Sequence, residues 1–368
     1  MTRDRIVLLV VVIGLCGCAR ASPPALGATL PGEDSVGLAR GDLAHRLDAF
    51  LATATDSGFA GTVLIARDGE IILHKAYGWA DEARSRPITT QTPFWVASVS
   101  KQFTAAAILA LAEDGRLRVT DSVTEYLEAV PADKTGITIH RLLTHTAGLR
   151  QNYAADGIGD RDSAVRAILL QPLRYPPGER FGYSNDAYNL LAAIVEIVAG
   201  QSFETYLRTR LLQPAGMRHS GFWGSPGDEA VAEIRRDPAR PRRPNWGFRG
   251  ATGIYSTPAD LYRWHLALRA HRVLTEASRR TLLAPHVALE SEGHAAYGWF
   301  LTRTPRGTTA VWTRGTEDFG HNAILMTYPE EGIVIVAASN AGERDGIAVT
   351  RGLADTLATL MAGPTKGR

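Results

Sequence analysis

Ser98-Val99-Ser100-Lys101 sets a hydroxyl and an ammonium three positions apart, just where an apolar helix begins. Residues at that spacing share a helix face, so the Lys101 amine can reach the Ser98 oxygen. A desolvated lysine is one of the few groups able to deprotonate a serine near neutral pH, which makes the hydroxyl an acyl-accepting nucleophile. The chain has only four lysines and sixteen serines. Chance alone gives ~0.17 Ser-x-x-Lys matches at that composition. The bland alternative is a helix start with a solvated lysine. A second polar constellation, Tyr183-Ser184-Asn185, follows the Pro-Gly turn of Tyr175-Pro-Pro-Gly178 and precedes the apolar run Tyr188 to Ala199. Its bland alternative is a polar turn that caps the next helix.

The elements that must position these residues follow from periodicity and turn chemistry. Asp42 can cap a helix carrying Leu43, Leu47, Phe50 and Leu51 at helical spacing. Gly61 to Ala66 and Ile71 to Tyr77 read as a hairpin with Asp68-Gly69 at the turn. The Ser98 helix runs to Gly115, a C-terminal stop. A helical, loop-rich middle extends from about Thr120 to Met217, and Ser256-Thr-Pro-Ala-Asp260 opens another helix. Strands are predicted at Tyr297–Arg303, Thr309–Arg314, Ala323–Tyr328 and Gly332–Ala338, with a final helix over about Asp345–Leu360. No internal repeat is visible.

Hydrophobic residues at 45% and charged residues at 21% describe a globular chain with a real core. A formal charge of +2 gives no mandate for nucleic acid, and ten scattered histidines show no metal-ligand spacing. No metal and no cofactor is implied. At the amino terminus, Arg3 and Arg5 precede the apolar stretch Ile6–Ile13 and then Leu15-Cys16-Gly17-Cys18, which resembles a bacterial lipobox. In that resemblance Cys18 carries a lipid. The apolar stretch is too short for a stable membrane span. Cys16 and Cys18 are the only cysteines, so the mature chain forms no internal disulfide. The expected division is a signal peptide over 1–17, a flexible tether over 18–41 rich in Pro, Ala and Gly, and a catalytic domain over 42–362.

With these motifs the chain resembles the serine β-lactamase and penicillin-binding-protein superfamily. It looks most like the class C β-lactamase, D-Ala-D-Ala carboxypeptidase and family VIII esterase branch. The resemblance runs from about Leu43 to about Leu360 and takes in Ile137–Leu149, Gly250–Asp260 and Tyr328–Asn340. It implies an α+β fold, an antiparallel sheet flanked by helices beside an all-α lobe, with the active site in the cleft between them. It makes Ser98 the nucleophile, Lys101 its activator, Tyr183 the partner base and later acid, and Asn185 a substrate-orienting amide. The family's third element, Lys-Thr-Gly or His-x-Gly, lies on a strand lining the pocket. Lys134-Thr135-Gly136 comes too early in the chain to serve. Counting back from Pro329 puts Arg314-Gly315-Thr316 at the family position, with the cation kept and Thr replacing Gly. His321-Asn322-Ala323 is the alternative. In the first register Thr316 would crowd a substrate backbone, and the second oxyanion donor would lie near Glu317.

These readings imply an envelope-anchored serine hydrolase acting on a β-lactam, a D-amino-acid peptide or a small ester. The alternative is a non-catalytic or very slow penicillin-binding lipoprotein. The expected location is the bacterial envelope, lipid-anchored and facing the periplasm, with the outer membrane favoured by Ala19 after Cys18, or secreted. The expected partners are a small-molecule or peptide substrate and the membrane, with no nucleic acid and no obligate protein partner. His140 and His145 read as structural. The segment Glu233–Arg249 carries Arg235, Arg236, Arg240, Arg242, Arg243 and Arg249. It reads as a solvated loop or a rim for an anionic group, with Trp246 and Phe248 as an apolar wall or as core.

Overall fold

Val63-Leu64-Ile65-Ala66 buries every side chain, because its alternating residues enter two different cores. Val63 and Ile65 join Leu47, Leu51, Leu353 and Leu357 on one side. Leu64 and Ala66 join Phe103, Leu325 and Val336 on the other. A sheet covered on both faces organises the molecule. The structure is a computed structural model that describes residues 30–33, 37–56, 58–232, 244–290, 293–316, 320–344 and 347–362.

The strands are β1 (Leu38–Ala39), β2 (Gly61–Arg67), β3 (Glu70–Tyr77), β4 (Phe94–Trp95), β5 (Gly221–Phe222), β6 (Ile254–Ser256), β7 (Val287–Leu289), β8 (Gly293–Ala295), β9 (Phe300–Arg303), β10 (Thr309–Thr316), β11 (Asn322–Tyr328) and β12 (Ile333–Ser339). Among the described residues, nine of them form one antiparallel sheet in the order β1-β3-β2-β12-β11-β10-β9-β8-β7, β4-β6-β5 form a second, and two further short strands, β13 (Glu343–Arg344) and β14 (Ile347–Ala348), pair as a third. Asp68 and Gly69 turn the β2–β3 hairpin with φ of 51° and 87°, the left-handed pair that an Asp-Gly turn supplies. The helices are α1 (Gly41–Asp56), α2 (Lys101–Glu113), α3 (Ile139–Leu143), α4 (Arg161–Leu169), α5 (Asn185–Ala199), α6 (Phe203–Leu207), α7 (Gln213–Ala215), α8 (Pro258–Arg269), α9 (Glu276–Leu282) and α10 (Val349–Ala362). Helices α1 and α10 cover one face of the sheet, and α8 packs on the other against β2 and β12. The segment from α3 to α7 makes the helical lobe, with α5 packed on α2. Among the described residues no single helix is long and apolar enough to cross a membrane.

The fold begins before Asp42, which corrects the expected tether. Leu30 and Glu33 are buried and β1 pairs with β3. Arg263 on α8 donates two bonds of 2.5 Å to the Glu33 carboxylate and a third of 3.1 Å to Asp260. A bidentate, buried ion pair of this kind fixes the segment to the core. Cys18 and the rest of 1–29 lie outside the described residues, as do Arg235, Arg236, Arg240, Arg242 and Arg243 of the arginine-rich loop.

One edge of the sheet stays open. Strand β10 pairs with β11 from Val311 to Thr316 but with β9 only from Thr309 to Trp312. Among the described residues Thr313–Thr316 therefore has no strand partner on the β9 side.

Candidate active site

Ser98 lies on a tight turn between β4 and α2. Val96 donates its N–H to Ile254 O at 3.0 Å, which ties the end of β4 to β6. Ala97 then takes a φ of 46°, an uncommon and strained conformation for a residue with a Cβ. A 3-10 turn over Ala97–Ser100 feeds directly into α2. Helix α2 is buried on all sides from Lys101 to Leu111, as befits a helix that is apolar almost all round. Only Ser98 in the turn keeps partial exposure. Ser100 is buried and accepts the Ile254 N–H at 3.2 Å, so it serves the backbone.

Lys101 points along the same face as Ser98. Its Nζ donates to Asn185 Oδ1 at 2.7 Å and to Ala251 O at 3.1 Å, and lies within hydrogen-bond distance, 3.1 Å, of Ser98 Oγ. With 2% of its surface exposed, the amine sits well below the ordinary lysine range because burial penalises its charged form. Tyr183 donates its hydroxyl to Ser98 Oγ at 2.8 Å. Burial pushes that phenol up to about 12, against smaller lowering effects of the Ser98 bond and the Arg314 charge. Ser98 Oγ is thus bonded by an amine and a phenol at once.

The Tyr183 segment is held from behind. Gly182 N–H donates to His145 O at 2.8 Å, and Ser184 N–H donates to His145 Nδ1 at 3.1 Å. The His145 ring stacks on Tyr183 with centroids 4.4 Å apart. Burial above all keeps this imidazole well below its usual range, hence neutral. Ser184 caps α5 by accepting the Ala187 N–H, which sets Asn185 as its first residue. Asn185 spends its carbonyl oxygen on Lys101, and its amide NH₂ meets no protein acceptor among the described residues.

Residues 45–359 match the Beta-lactamase family profile, most of the chain. The chain belongs to the Beta-lactamase family. It is 32% identical to the putative penicillin-binding protein PbpX of Bacillus subtilis over 234 residues, 62% of this chain and 59% of that protein. It is 29% identical to penicillin-binding protein 4* of the same organism over 314 residues, 77% of this chain and 69% of that one. The crystal structure of a penicillin-binding protein from Bacillus halodurans superposes with a TM-score of 0.71 at 26% identity, covering 84% of this chain and 99% of that one. The antiparallel sheet with its flanking helices and helical lobe is the α+β architecture shared with that structure.

The third element of this Beta-lactamase family chain takes a register different from the expected one. A Cβ on Gly315 would lie 2.1 Å from Val96 O, 2.5 Å from Ser98 N and 2.8 Å from Ala97 Cβ. Gly315 is therefore the position that must be glycine, where the strand meets the nucleophile's turn. The motif reads Thr313-Arg314-Gly315, with buried Thr313 in the cation position and Thr316 beyond the glycine. The expected replacement of the glycine by Thr316 is thereby corrected. Counting along the strand gave the right segment and the wrong residue, because sequence alone cannot reveal which backbone atoms touch. Arg314 alternates to the face of Trp312, its guanidinium 5.7 Å from that ring, and its charge reaches Tyr183. His321 is fully buried, accepts the Trp95 N–H at 3.0 Å and packs on Phe94, so it braces β4 beneath the site. Glu317 lies outside the described residues.

The remaining candidates separate cleanly. Lys134 is buried in the helical lobe and pairs with Asp133 at 2.8 Å. His140 shares a 2.7 Å bond with the Tyr297 hydroxyl. Trp246 is core, whereas half-buried Phe248 stands 4.8 Å from Tyr153 and 5.5 Å from Trp223 in a row of rings. Arg249 pairs with Glu204 at 2.8 Å and lies over Trp246. Among the described residues no group of three or more His, Cys, Asp or Glu is placed to hold a metal. One contributor had no individual signal in the sequence: Ala251, which acts through its carbonyl; His145 read as structural, and its bonds to the Tyr183 segment are of that kind, while its stacking on Tyr183 needs the tertiary fold.

Proposed function

We propose that the protein hydrolyses an acyl compound through an acyl-enzyme on Ser98. The observation that carries this reading is the pair of bonds meeting at Ser98 Oγ, from Lys101 Nζ and Tyr183 OH. As the Ser98 oxygen attacks a carbonyl, its proton passes to the uncharged Lys101 amine and the carbonyl oxygen becomes an oxyanion. The Ser98 N–H, at the amino end of the turn and α2, supplies one donor to that oxyanion. The C–N or C–O bond then breaks, and the leaving group takes the Tyr183 proton while Lys101 returns its own to Tyr183. Deacylation runs the same transfers with water as the nucleophile. A phenol held up to about 12 works here as a proton carrier, which favours the shared-proton role over a standing phenolate.

The substrate class we favour is a peptide-like acyl donor, a D-amino-acid peptide or a β-lactam, with small esters as simpler substrates. The open edge at Thr313–Thr316 lies beside Ser98 and can take an extended backbone as an added strand. With the glycine at 315, the steric objection raised against such substrates falls away. Arg314, on the Trp312 face yet near enough for its charge to reach Tyr183, would draw a substrate carboxylate through its field. We further propose that a lipid on Cys18 holds the enzyme in the bacterial envelope; Cys18→Ser should move it from membrane to soluble fractions, and an unchanged distribution would refute the anchor.

The test of function is labelling with a fluorescent fluorophosphonate and a fluorescent penicillin. Wild-type protein should take both, and Ser98→Ala neither. Labelling by the first alone would make the enzyme esterase-like, and labelling of neither would favour the non-catalytic lipoprotein.

A further inference from the structure

Apart from Ser98 and its neighbours, a cavity of about 690 Å³ opens between the 208–221 segment, the 226–230 turn and the strand at Tyr255. That is the size of a small-molecule site. Arg208 and Arg218 line it, with His219, and among the described lining residues there is no Asp or Glu. Most arginines around it are already engaged. Arg210 pairs with Glu113 at 3.6 Å, Arg249 with Glu204, and Arg263 with Glu33. Arg86 spends its guanidinium on Ala230 O and Val231 O. Arg208 and Arg218 have no carboxylate partner among the described residues; Arg208 touches only the Phe222 ring, at 5.9 Å. The nearby acids are spoken for. Asp228 and Glu229 accept the N–H groups of Gly224 and Gly227. Asp260, behind the wall, accepts from His219 N and Ser220 Oγ and pairs with Arg263.

We propose that this cavity is a second binding site, distinct from the catalytic cleft, for a small molecule joining an oxyanion, carboxylate or phosphate, to an apolar group. Two guanidinium groups in one concavity, with no carboxylate partner among the described residues, offer bidentate donors to such an anion. Leu212, Met217 and the Tyr255 ring supply the apolar side. The Tyr255 hydroxyl donates to Pro226 O at 2.9 Å, which fixes that wall in place. The site lies one strand from the nucleophile's backbone, because Trp95 pairs with Tyr255 in the β4–β6 ladder.

Titration calorimetry on the full chain at low salt, with phenyl phosphate, phenylacetate and inorganic phosphate in turn, tests this. Saturable binding of at least one aryl anion is expected, and its identity assigns phosphate or carboxylate as the group. Arg208→Ala and Arg218→Ala should each weaken it about tenfold. Arg218→Lys, which keeps charge and loses the fork, should fall between wild type and Arg218→Ala at an unchanged melting temperature. Arg314→Ala should leave the dissociation constant unchanged, as should prior reaction of Ser98 with a fluorophosphonate. Binding lost with Arg314→Ala or with Ser98 blocked would place the anion in the catalytic cleft and overturn the proposal. Binding indifferent to both cavity arginines, or no saturable heat from either aryl anion, would overturn it equally. None of these outcomes depends on Ser98 turning over a substrate, so the two readings fail separately.

Discussion

Replacing Gly315 by alanine is the sharpest probe of how strand and nucleophile fit. The added Cβ would meet Val96 O at 2.1 Å and Ser98 N at 2.5 Å, and both are backbone atoms that cannot rotate away. Reaching the shortest separation real Cβ atoms tolerate requires β10 and the Ala97–Ser98 turn to part by about 0.9 Å, and misplacements near 1 Å cost roughly a hundredfold in rate. The shift also moves the Ser98 N–H, and loss of one oxyanion donor alone costs about 10²–10³ in turnover. Gly315→Ala should therefore cut the second-order rate of fluorophosphonate labelling, and the hydrolysis of a small ester, by about a hundredfold or more. Circular dichroism should still report a folded chain. Thr316→Gly, one residue on, should change either rate by no more than about threefold, since its side chain is not at the contact. If Gly315→Ala labels at the wild-type rate while Thr316→Gly accelerates labelling, the register Thr313-Arg314-Gly315 is wrong and Thr316 is the crowding residue.

Other outcomes follow from the same geometry. Arg314→Ala should raise KM roughly ten- to hundredfold for a carboxylate-bearing penicillin while leaving a neutral ester almost untouched; equal losses on both would remove the carboxylate role. His321→Ala should leave the Trp95 N–H unpaired and cost about 1–3 kcal/mol of stability in denaturant melts, with no preference between the two substrates. Lys101 has a folded pKa below its unfolded one, so unfolding takes up a proton between the two values and stability rises with pH in that window. Wild type should gain stability relative to Lys101→Met as pH rises from the depressed folded value toward the ordinary lysine range, about 10, and labelling should fail as acid protonates the amine; a pH-independent difference would mean the amine is charged in the fold. Glu33→Ala strips a buried partner from Arg263, which keeps only Asp260, and should cost on the order of 3 kcal/mol; a chain starting at residue 42 that melts like one starting at residue 30 would return that segment to the tether.

What the sequence disclosed was local chemistry. Ser98, Lys101, Tyr183 and Asn185 are named by residue type at short spacing beside apolar helices, and those helices bring the four together. Long apolar, β-branched runs such as Gly61–Arg67 and Ile333–Ser339 were likewise legible, because seven residues of one character outweigh turn noise. Strands of two or three residues, β4 to β8, carry no such pattern and exist through pairing alone. Leu30 and Glu33 carry no sequence signal for a related reason: one apolar and one acidic residue in a Pro- and Gly-rich stretch have no periodicity, and Arg263, the partner of Glu33 on α8, lies 230 positions away. The glycine of the third element is a question about touching backbones. Only the fold answers it.

In the reaction proposed here, the site keeps its proton carriers uncharged until they are needed. Lys101 is driven down by burial, Tyr183 is driven up by burial, and His145 against the Tyr183 ring stays neutral. Ser98 therefore sits between a base ready to accept and an acid ready to donate, without an ion beside it to be desolvated. Arg314 is the cation whose charge reaches Tyr183, and it works in the direction of easing that phenol's proton away. Charge arises only as the carbonyl oxygen becomes an oxyanion, next to the amino end of the turn that feeds α2. Fixed donors placed where charge develops are worth more in a buried site than in water, and they need no rearrangement as it forms. The strain at Ala97 and the close fit of Gly315 serve that placement: together they hold the Ser98 N–H and Oγ at the open edge of the sheet, where an acyl group can reach both.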